Sequence, residues 1–307
     1  MTSILKPVWR SLRRCRRRYK GSMTERENIM KKRRYQRIVC LFIILVWLGG
    51  GFRQLNAAEA AGADYGVYIG NDDMKKICQK AADKTVVVIE GQNFSAGQIA
   101  KLKADGKKVY SYLNVGSVET YRSYYRRFEK YTLSQYENWW DEYWIDVSKK
   151  SWQKFIAGKV AGKLAQKGID GFFVDNCDVY YHYKTKKTYQ GLTAILQTLR
   201  KYDKDIIING GDVFVSKLIK DKKTELIDGV NQECVFSRIE DYDRDRFKKQ
   251  EKSEVKYFQS YLKKVKKSGL KIFLLEYTKD RKLKKKIADY CDRKEYGYYI
   301  SESVKLY

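Results

Sequence analysis

The chain has 307 residues, of which 64 are Lys or Arg and 37 are Asp or Glu, so its formal net charge is +27. With 43% hydrophobic and 14% aromatic residues it can bury a core, which excludes general disorder. The single histidine, His182, excludes zinc sites built from several imidazoles and mechanisms that need two of them. A charge this high suggests a nucleic-acid binder only if it lies on the folded part of the chain.

The first 57 residues carry nearly half of that charge. They contain fifteen basic and two acidic residues, so this segment carries +13 and the rest of the chain carries +14. An apolar run over 38–48 follows the basic residues, and it is shorter than the roughly 18 residues needed to span a membrane. Basic residues, a short apolar run and then small residues are typical of a secretory signal peptide.

We therefore predict three segments. Residues 1–29 are a basic extension upstream of the true start at Met30, residues 30–58 are a signal peptide, and residues 59–307 are one folded domain. The alternative for the middle segment is an uncleaved membrane anchor through residues 38–52. Either way the domain is expected to be secreted, or anchored to the outer face of the cytoplasmic membrane.

Export leaves two interpretations of the four cysteines in the domain. Cys78, Cys177, Cys234 and Cys291 form up to two disulfides in an oxidising compartment, or they are buried free thiols. No CxxC spacing occurs, which disfavours a zinc site. We expect neither a metal nor a cofactor.

Short β-branched or aromatic runs recur through the domain, separated by helical patterns. Ser95 and Gln98 form a capping box, and Gly106 stops the helix that follows them. Apolar stripes at helical spacing occur over 152–164, 192–199 and 255–265. The predicted strands are Tyr65–Gly70, Thr85–Glu90, Lys108–Val115, Gly171–Asp175, Ile206–Asn209, Gly229–Val235, Lys271–Tyr277 and Gly297–Ser301.

Eight strand and helix units in about 249 residues predict an α/β fold, a single-domain TIM (β/α)8 barrel. A doubly wound open sheet is the alternative, but no Gly-rich phosphate loop follows the first strand. The lysines then lie on solvated helix faces.

The active site of a TIM barrel lies at the C-terminal ends of its strands. Acidic and polar residues close five of the predicted strands, which suits carboxylate chemistry on a sugar: one carboxyl protonates the leaving oxygen, and a second attacks the anomeric carbon or activates water. These strand ends are Tyr112-Leu113-Asn114, Asp175-Asn176-Cys177-Asp178, Asn209-Gly210-Gly211, Asn231-Gln232-Glu233-Cys234 and Glu276-Tyr277.

Each of these residues has a simpler interpretation. Asp175 and Asp178 could cap the next helix or bind calcium, and Glu233 could pair with a barrel arginine. His182 is either an ordinary surface imidazole or a substrate ligand at the rim.

The long connection after the third strand is rich in aromatic side chains, which can stack on the apolar faces of sugars. Some of them must instead pack the connection onto the barrel. The ten are Tyr121, Tyr124, Tyr125, Phe128, Tyr131, Tyr136, Trp139, Trp140, Tyr143 and Trp144.

Three segments resemble motifs of one enzyme family, in the same order. Tyr110–Arg122 resembles Y-(I/L)-S-V-G-E-x-E-x-Y-R, Trp144–Val147 resembles W-x-D-V, and Gly168–Asp178 resembles G-F-D-G-(V/I)-F-L-D-N-x-D. The family is the endo-α-1,4-polygalactosaminidases, glycoside hydrolase family 114, to which the hydrolase domains of Pel polysaccharide systems are related. The resemblance covers residues 65–303. Asn114 stands where the family has Ser, and Ser117 where it has Glu, which concerns the substrate subsite more than the reaction class.

The resemblance implies a secreted or surface-anchored TIM-barrel hydrolase that cleaves α-1,4-linked galactosamine or N-acetylgalactosamine exopolysaccharide in biofilm matrices. It implies Asp175 as nucleophile and Glu233 as general acid/base, with the two roles exchangeable. The implied substrate-binding or supporting residues are Tyr112, Asn114, Arg122, Asp178, Asn209 and Glu276.

The alternative function is a non-catalytic carbohydrate-binding barrel in exopolysaccharide assembly, which intact Asp175 and Glu233 disfavour. A nucleic-acid partner is not expected, because the excess charge of the domain is mostly Lys spread along helix faces. Those faces could instead hold the protein against an anionic cell wall. A basic domain fits a cationic galactosamine polymer only if acidic residues cluster in the groove or the polymer is partly acetylated. We expect a monomer, with membrane contact only through residues 38–52.

Overall fold

The computed structural model describes residues 64–137 and 139–307. The predicted extension, signal peptide and anchor lie outside these residues. Within them, no helix is both long enough and apolar enough to cross a bilayer.

Eight parallel strands form one sheet that curls almost into a closed barrel, in the order β1-β2-β3-β7-β8-β9-β12-β13. At the seam, the rings of Tyr68 and Tyr299 lie 5.5 Å apart, and the Gly70 amide donates to the Leu306 carbonyl at 3.1 Å. The TIM-barrel prediction is confirmed, and each predicted strand is observed to within two residues at either end. The barrel strands are β1 (Tyr65–Tyr68), β2 (Val86–Ile89), β3 (Lys108–Asn114), β7 (Gly171–Asp175), β8 (Asp205–Asn209), β9 (Gly229–Glu233), β12 (Lys271–Tyr277) and β13 (Gly297–Ser301).

Helices connect the strands and pack around the sheet. The capping box at Ser95 and Gln98 is present and starts α2. The helices are α1 (Met74–Lys80), α2 (Ala96–Ala104), α3 (Tyr125–Phe128), α4 (Lys150–Gln153), α5 (Ala161–Gln166), α6 (Val179–His182), α7 (Lys186–Leu199), α8 (Asp212–Lys220), α9 (Lys252–Lys267) and α10 (Arg281–Lys294).

A π-helix, Lys154–Val160, joins α4 to α5 without a break. The buried side chains of Trp152, Ile156, Val160 and Leu164 are spaced exactly four residues apart. This spacing is longer than one turn of an α-helix, and the wider turn of the π-helix accommodates it. The Tyr202 hydroxyl donates to the Ala157 and Gly158 carbonyls at 3.0 and 2.9 Å, so the carbonyls that the wider turn displaces are satisfied.

Strand alternation divides the core into two layers. One layer lies between the sheet and the helices and contains Val174, Ile208 and Leu274. The other fills the barrel interior and contains Phe173, Ile207 and Leu275, the neighbours of those residues in sequence. The same alternation decides which side chains at the strand ends can face the barrel mouth.

Two excursions rise from the C-terminal end of the barrel. The connection after β3 holds a three-stranded antiparallel sheet in the order β4-β6-β5, and the connection after β9 holds an antiparallel hairpin, β10-β11. Neither was predicted. Their strands are β4 (Ser117–Glu119), β5 (Thr132–Gln135), β6 (Glu142–Ile145), β10 (Ser237–Asp241) and β11 (Arg246–Lys249).

Candidate active site

A cleft of about 750 Å³ lies at the C-terminal ends of the strands, between the two excursions. Among the described residues, seven carboxyl side chains line it, against two basic side chains, Arg122 and Lys305. The seven are Glu90, Glu119, Asp141, Glu142, Asp175, Asp178 and Glu233. The cleft is therefore rich in carboxyl groups, although the protein as a whole is basic.

Three neighbouring strands bring two carboxyls together at the base of the cleft. Asp175 ends β7, Asn209 ends β8 and Glu233 ends β9. The Asn209 amide nitrogen donates to Asp175 Oδ1 at 2.9 Å and to Glu233 Oε1 at 2.7 Å. Because both oxygens bond the same nitrogen, they can be no more than 5.6 Å apart.

A second pair of hydrogen bonds holds Asn209 from below. Asn231, on β9, donates from Nδ2 to Asn209 Oδ1 at 2.6 Å, and the Tyr65 hydroxyl donates to Asn231 Oδ1 at 3.1 Å. On the other side of the pair, the Tyr277 hydroxyl donates to Glu233 Oε2 at 2.9 Å. The carboxyl pair is thus held by amides and hydroxyls.

Asp178 lies beside the carboxyl pair but is held by the loop after β8. Both of its oxygens accept from the Gly211 amide, at 3.1 and 3.0 Å. A Cβ on Gly210 would lie 2.8 Å from Asp178 Oδ2, and both glycines have positive φ, so the close approach and the backbone conformation both require glycine. Asp178 therefore does not cap its own helix through its side chain.

A buried polar cluster forms the wall next to Asp175. Glu142 Oε1 accepts from Asn114 Nδ2 and Asn176 Nδ2, both at 2.9 Å, and from the Ser117 hydroxyl. Asn176 directly follows Asp175 and has a φ of 62°, a left-handed conformation that Asn tolerates better than most residues. The cluster therefore ties the excursion after β3 to the end of β7.

Arg122 forms the far wall of the cleft with two carboxylates. Its Nη2 lies 2.7 Å from Glu90 Oε2 and 3.0 Å from Glu119 Oε1, with all three side chains less than a tenth exposed. Glu119 Oε2 and Arg122 Nε are buried without a hydrogen-bond partner among the described residues.

Burial raises the pKa of five carboxyls in and behind the cleft. It raises the pKa of Glu233 to about 7, helped by the charge of Asp175, while hydrogen bonds from Asn209 and Tyr277 oppose the increase. Burial also raises the pKa of Asp175, but hydrogen bonds from Asn209, Tyr112 and the Asn176 amide all favour its charged form. Burial raises the pKa of Asp178, Glu142 and Glu276 to about 7 as well.

Aromatic rings lie along the cleft. Tyr121 and Trp139 line it and are 67% and 41% exposed, so their faces are available for stacking. The Trp139 ring also contacts the Tyr242 ring edge-on at 5.7 Å, which joins the two excursions across the cleft. Trp144 is instead buried and packs between Tyr136 and His182.

Six of the eight predicted site residues line the cleft: Tyr112, Arg122, Asp175, Asp178, Asn209 and Glu233. Asn114 lies behind the wall in the buried polar cluster. Glu276 is also outside the cleft, because strand alternation turns it away from the barrel mouth. Its buried carboxylate accepts from the Phe236 and Ser237 amides at 3.0 and 2.9 Å. Of the two predicted roles, substrate-binding or supporting, the structure therefore favours the supporting role for both residues.

Three features that the sequence left open are placed by the structure. His182 is exposed, lies 3.4 Å from Glu137 Oε1 and is not part of the cleft wall, so it is a surface imidazole. Cys78, Cys177, Cys234 and Cys291 are free thiols. Among the described residues, no group of three or more His, Cys, Asp or Glu is arranged to hold a metal ion.

Several cleft residues were missed. Glu90 closes the second predicted strand, so the strand-end rule would have found it. Tyr277 also closes a predicted strand, and alternation turns it towards the barrel interior. Asn231 lies two residues before Glu233 on β9 and so on the same side of the strand, but below the cleft, where it supports Asn209. Glu142 and Asp141 come from the excursion after β3, whose fold the sequence did not indicate.

The barrel resembles solved glycoside hydrolases. The glycoside hydrolase domain of PelA from Pseudomonas aeruginosa gives a TM-score of 0.67 at 16% identity, covering 80% of this chain and 96% of that one. Ega3 from Aspergillus fumigatus, in complex with galactosamine, gives 0.61 at 15% identity, covering 84% and 97%. The α-galactosidase TtGalA from Thermus thermophilus, in complex with stachyose, gives 0.52 at 11% identity, covering 80% and 62%. At these identities the likeness establishes the fold.

No curated protein matches the sequence. The sequence model of glycoside-hydrolase family GH114, in contrast, matches residues 57–304, which include the whole barrel, both excursions and the two carboxyls that Asn209 joins. The chain is a glycoside hydrolase and belongs to family GH114.

Proposed function

We propose that this enzyme cleaves an α-1,4-linked exopolysaccharide of galactosamine and N-acetylgalactosamine within the polymer, by a two-carboxylate mechanism with retention of anomeric configuration. The observation that carries the substrate assignment is the charge of the cleft, with seven carboxyls against two basic groups in a chain of net charge +27. A cleft of this charge attracts a polymer with free ammonium groups.

The spacing of the carboxyl pair supports retention. Retaining glycosidases hold their two carboxyl groups about 5–5.5 Å apart, whereas inverting enzymes need about 6.5–9.5 Å to fit a water. The 5.6 Å upper limit that Asn209 sets on the bonded oxygens of Asp175 and Glu233 agrees with the shorter range.

In the first step Asp175 attacks the anomeric carbon while the glycosidic C–O bond breaks and Glu233 gives its proton to the leaving oxygen. In the second step Glu233, now a carboxylate, takes a proton from water. The water oxygen forms the new bond to the anomeric carbon, and the ester bond to Asp175 breaks.

The environments of the two carboxyls support these roles. Glu233 has a pKa raised to about 7 by burial, so a large fraction of it carries the proton that an acid must donate near neutral pH. Asp175 has three hydrogen-bond donors that favour its charged form, which a nucleophile needs.

Two features of the cleft suit an aminosugar. Glu90, Glu119 and Asp141 add carboxyl groups to the cleft wall beyond the catalytic pair, and carboxylates accept hydrogen bonds from ammonium and hydroxyl groups. Tyr121 and Trp139 offer exposed rings that can stack on sugar faces.

The test is cleavage of purified galactosaminan, both partly and fully N-acetylated, by the wild-type chain. We expect mixed oligosaccharides from the partly acetylated polymer, with the α-anomer appearing first by NMR. Asp175→Asn should release none, while Asp243→Asn, at an exposed acidic residue outside the cleft wall, should match wild type. A folded wild-type protein that binds but does not cleave either polymer would instead support the carbohydrate-binding barrel.

We also propose that the enzyme acts outside the cell, secreted or anchored to the outer face of the cytoplasmic membrane. The basic and apolar residues before residue 58 support this. The lysines of α9 and α10 would then favour contact with an anionic cell wall. N-terminal sequencing of the protein recovered from culture medium and from membranes tests the location and identifies any cleavage site.

A further inference from the structure

A line of three side chains crosses the barrel interior below the carboxyl pair. The Tyr65 hydroxyl, on β1, bonds Asn231 on β9, and Asn231 bonds Asn209 on β8. Tyr65 is 1% exposed and Asn231 is fully buried, so bulk water does not reach either residue. Each has its hydrogen-bond partner within the line.

Asp175 fixes the direction of every bond in this line. In the charged form that its role requires, its oxygens only accept, so Asn209 must turn its NH₂ group towards Asp175, and the same group then also reaches Glu233 Oε1. Its carbonyl then faces down and needs a donor, which Asn231 supplies from its own NH₂ group. The carbonyl of Asn231 in turn needs a donor, and the Tyr65 hydroxyl provides it.

Tyr65 is suited to be the fixed end of the line. Burial and the nearby charge of Glu233 hold the pKa of Tyr65 well above its ordinary value, so its hydroxyl keeps its proton and stays a donor. Its ring packs 4.6 Å from the ring of Phe273, which fixes its position.

We propose that Tyr65 and Asn231 are positioning residues that hold the Asn209 amide with its NH₂ group towards Asp175 and Glu233. This rests on the proposed function of those two carboxyls. Without the line, an Asn209 that rotates by 180° about its last side-chain bond places its carbonyl against the carboxylates. It then repels the charged forms of both residues instead of favouring them.

The test compares Tyr65→Phe with Tyr110→Phe. Both tyrosines are 1% exposed, line the barrel interior and donate one hydrogen bond, but the Tyr110 hydroxyl bonds Asp205 Oδ2 at 2.8 Å at the opposite end of the barrel. Tyr110→Phe should therefore lose at least as much thermal stability as Tyr65→Phe, because its hydroxyl bonds a carboxylate. Only Tyr65→Phe should lower kcat, by about tenfold, with KM unchanged.

The pH profile separates positioning from loss of packing. Because Tyr65→Phe weakens the donation from Asn209, the apparent pKa values of both carboxyls rise, and both limbs of the profile move to higher pH. Their other titratable neighbours are unchanged in this variant: Tyr112, Glu119, Tyr136, Glu142, Asp178, Tyr242 and Tyr277. Tyr110→Phe should keep the wild-type profile.

Asn231→Leu is the second variant. It has about the same size, but it can neither donate to Asn209 nor accept from Tyr65. We expect a larger loss of kcat than in Tyr65→Phe. Equal kcat values and profiles in wild type, Tyr65→Phe and Asn231→Leu would overturn the proposal.

A measurement without substrate separates this proposal from the proposed function. Carboxyl carbon NMR of the full chain follows the titration of Asp175 and Glu233, assigned with Asp175→Asn and Glu233→Gln. Tyr65→Phe should raise both titration midpoints and Tyr110→Phe should leave them unchanged. Unchanged midpoints in Tyr65→Phe refute the positioning role, even if wild type cleaves galactosaminan. Raised midpoints support that role even if no galactosaminan is cleaved.

Discussion

Strands β7, β8 and β9 carry acidic residues near both of their ends, but the two sets are held in different ways. At the N-terminal end, Asp228 Oδ2 accepts from Arg200 Nη1 at 2.6 Å and from the Ile206 amide at 2.8 Å. Asp170 likewise accepts from Lys103 Nζ at 2.6 Å and from the Val109 amide at 2.9 Å. Each carboxylate there has a positive partner and ties one strand to the next.

At the C-terminal end of the same strands, Asp175 and Glu233 are held by an amide and by hydroxyls. Asp178 is held by a backbone amide. Burial raises the pKa of all three. A buried carboxyl without a cation costs stability, and where it also lines the cleft, as these three do, it indicates a role in catalysis or substrate binding. The acids at the N-terminal ends of these strands therefore stabilise the barrel, whereas those at the C-terminal ends are suited to catalysis or substrate binding, although both sets are Asp or Glu on the same strands.

The largest effect should follow removal of the nucleophile. Asp175→Asn keeps the size of the side chain but cannot form the ester to the sugar. We expect kcat to fall by about 10³-fold or more, while the midpoint of urea unfolding stays the same or rises because a buried carboxyl is gone. If Asp175→Asn were inactive because it unfolds, Asp175 would stabilise the barrel as the acids at the N-terminal ends of the strands do, and the proposed difference between the two ends would be contradicted.

The pH dependence of the reaction should be governed by the acid. With the pKa of Glu233 at about 7, kcat/KM should fall about tenfold per pH unit above that value, because Glu233 loses the proton that it must donate. A fall below neutral pH should follow protonation of Asp175. Glu233→Gln should lose most of its activity on the polymer, but with a substrate whose leaving group needs no proton it should keep much of its kcat/KM and show no fall above pH 7.

Stability should depend on pH in the direction opposite to that of ordinary carboxylates. Glu142, Asp178, Glu233 and Glu276 have a pKa of about 7 in the folded protein, so the folded state binds more protons than the unfolded chain. Their contribution is full below pH 4 and is lost as the pH rises through about 7. We expect Tm to be lower at about pH 8 than at about pH 5.5, by about 5 °C or more.

Glu276→Gln tests this pH dependence of stability without changing a residue that lines the cleft. The Gln carbonyl can still accept from the Phe236 amide, but it does not titrate, so the Tm difference between the two pH values should shrink. Glu254→Gln, at an exposed position on α9, should keep the wild-type difference. An equal Tm at both pH values in wild type would contradict the raised pKa values.

The barrel strands could be predicted from the sequence, whereas the strands of the two excursions could not. The eight strands were predictable because buried runs such as Phe172–Val174 lie between residues with a clear polar or helical pattern. The excursions were not, because β5 is mostly exposed and β11 has the sequence Arg-Phe-Lys-Lys, so neither has the apolar alternation of a buried strand. Their strands are stabilised by pairing with distant segments, which local sequence does not encode.

The candidate site was predictable where strand ends supply it. Asp175, Asn209 and Glu233 each end a strand, and barrel geometry then requires them to meet. Glu276 was predicted as a site residue because it lies near the end of its strand. Side chains alternate between the two faces of a strand, so Glu276 points away from the cleft and Tyr277 lines it instead. Glu142 could not be found, since it reaches Asn176 only through the fold of the excursion after β3.

At the N-terminal end of the barrel, we expect Asp228→Asn to destabilise the fold without changing the chemistry. It removes the charge that holds Arg200 and weakens the bond to the Ile206 amide. The loss in free energy of unfolding should be about 1.5–3 kcal/mol by urea titration, because hydrogen bonds to charged groups are worth about that much. The kcat of the folded fraction should equal that of wild type, and a tenfold fall would show that this end also shapes the active site.

The smallest effect should come from Lys103→Gln at the same end. Lys103 and Asp170 are 35% and 27% exposed, and an ion pair so accessible to water is worth about 0–1 kcal/mol. Asp170 also keeps its bond from the Val109 amide, so it is not left without a donor. The difference between variant and wild type should shrink further at roughly 1 M salt, where charges are screened within about 3 Å. A loss as large as that of Asp228→Asn, unchanged by salt, would mean that the Asp170 carboxylate depends on its cation as a buried charge does. Asp170 and Asp175 would then differ in their partners alone and not in how much water reaches them.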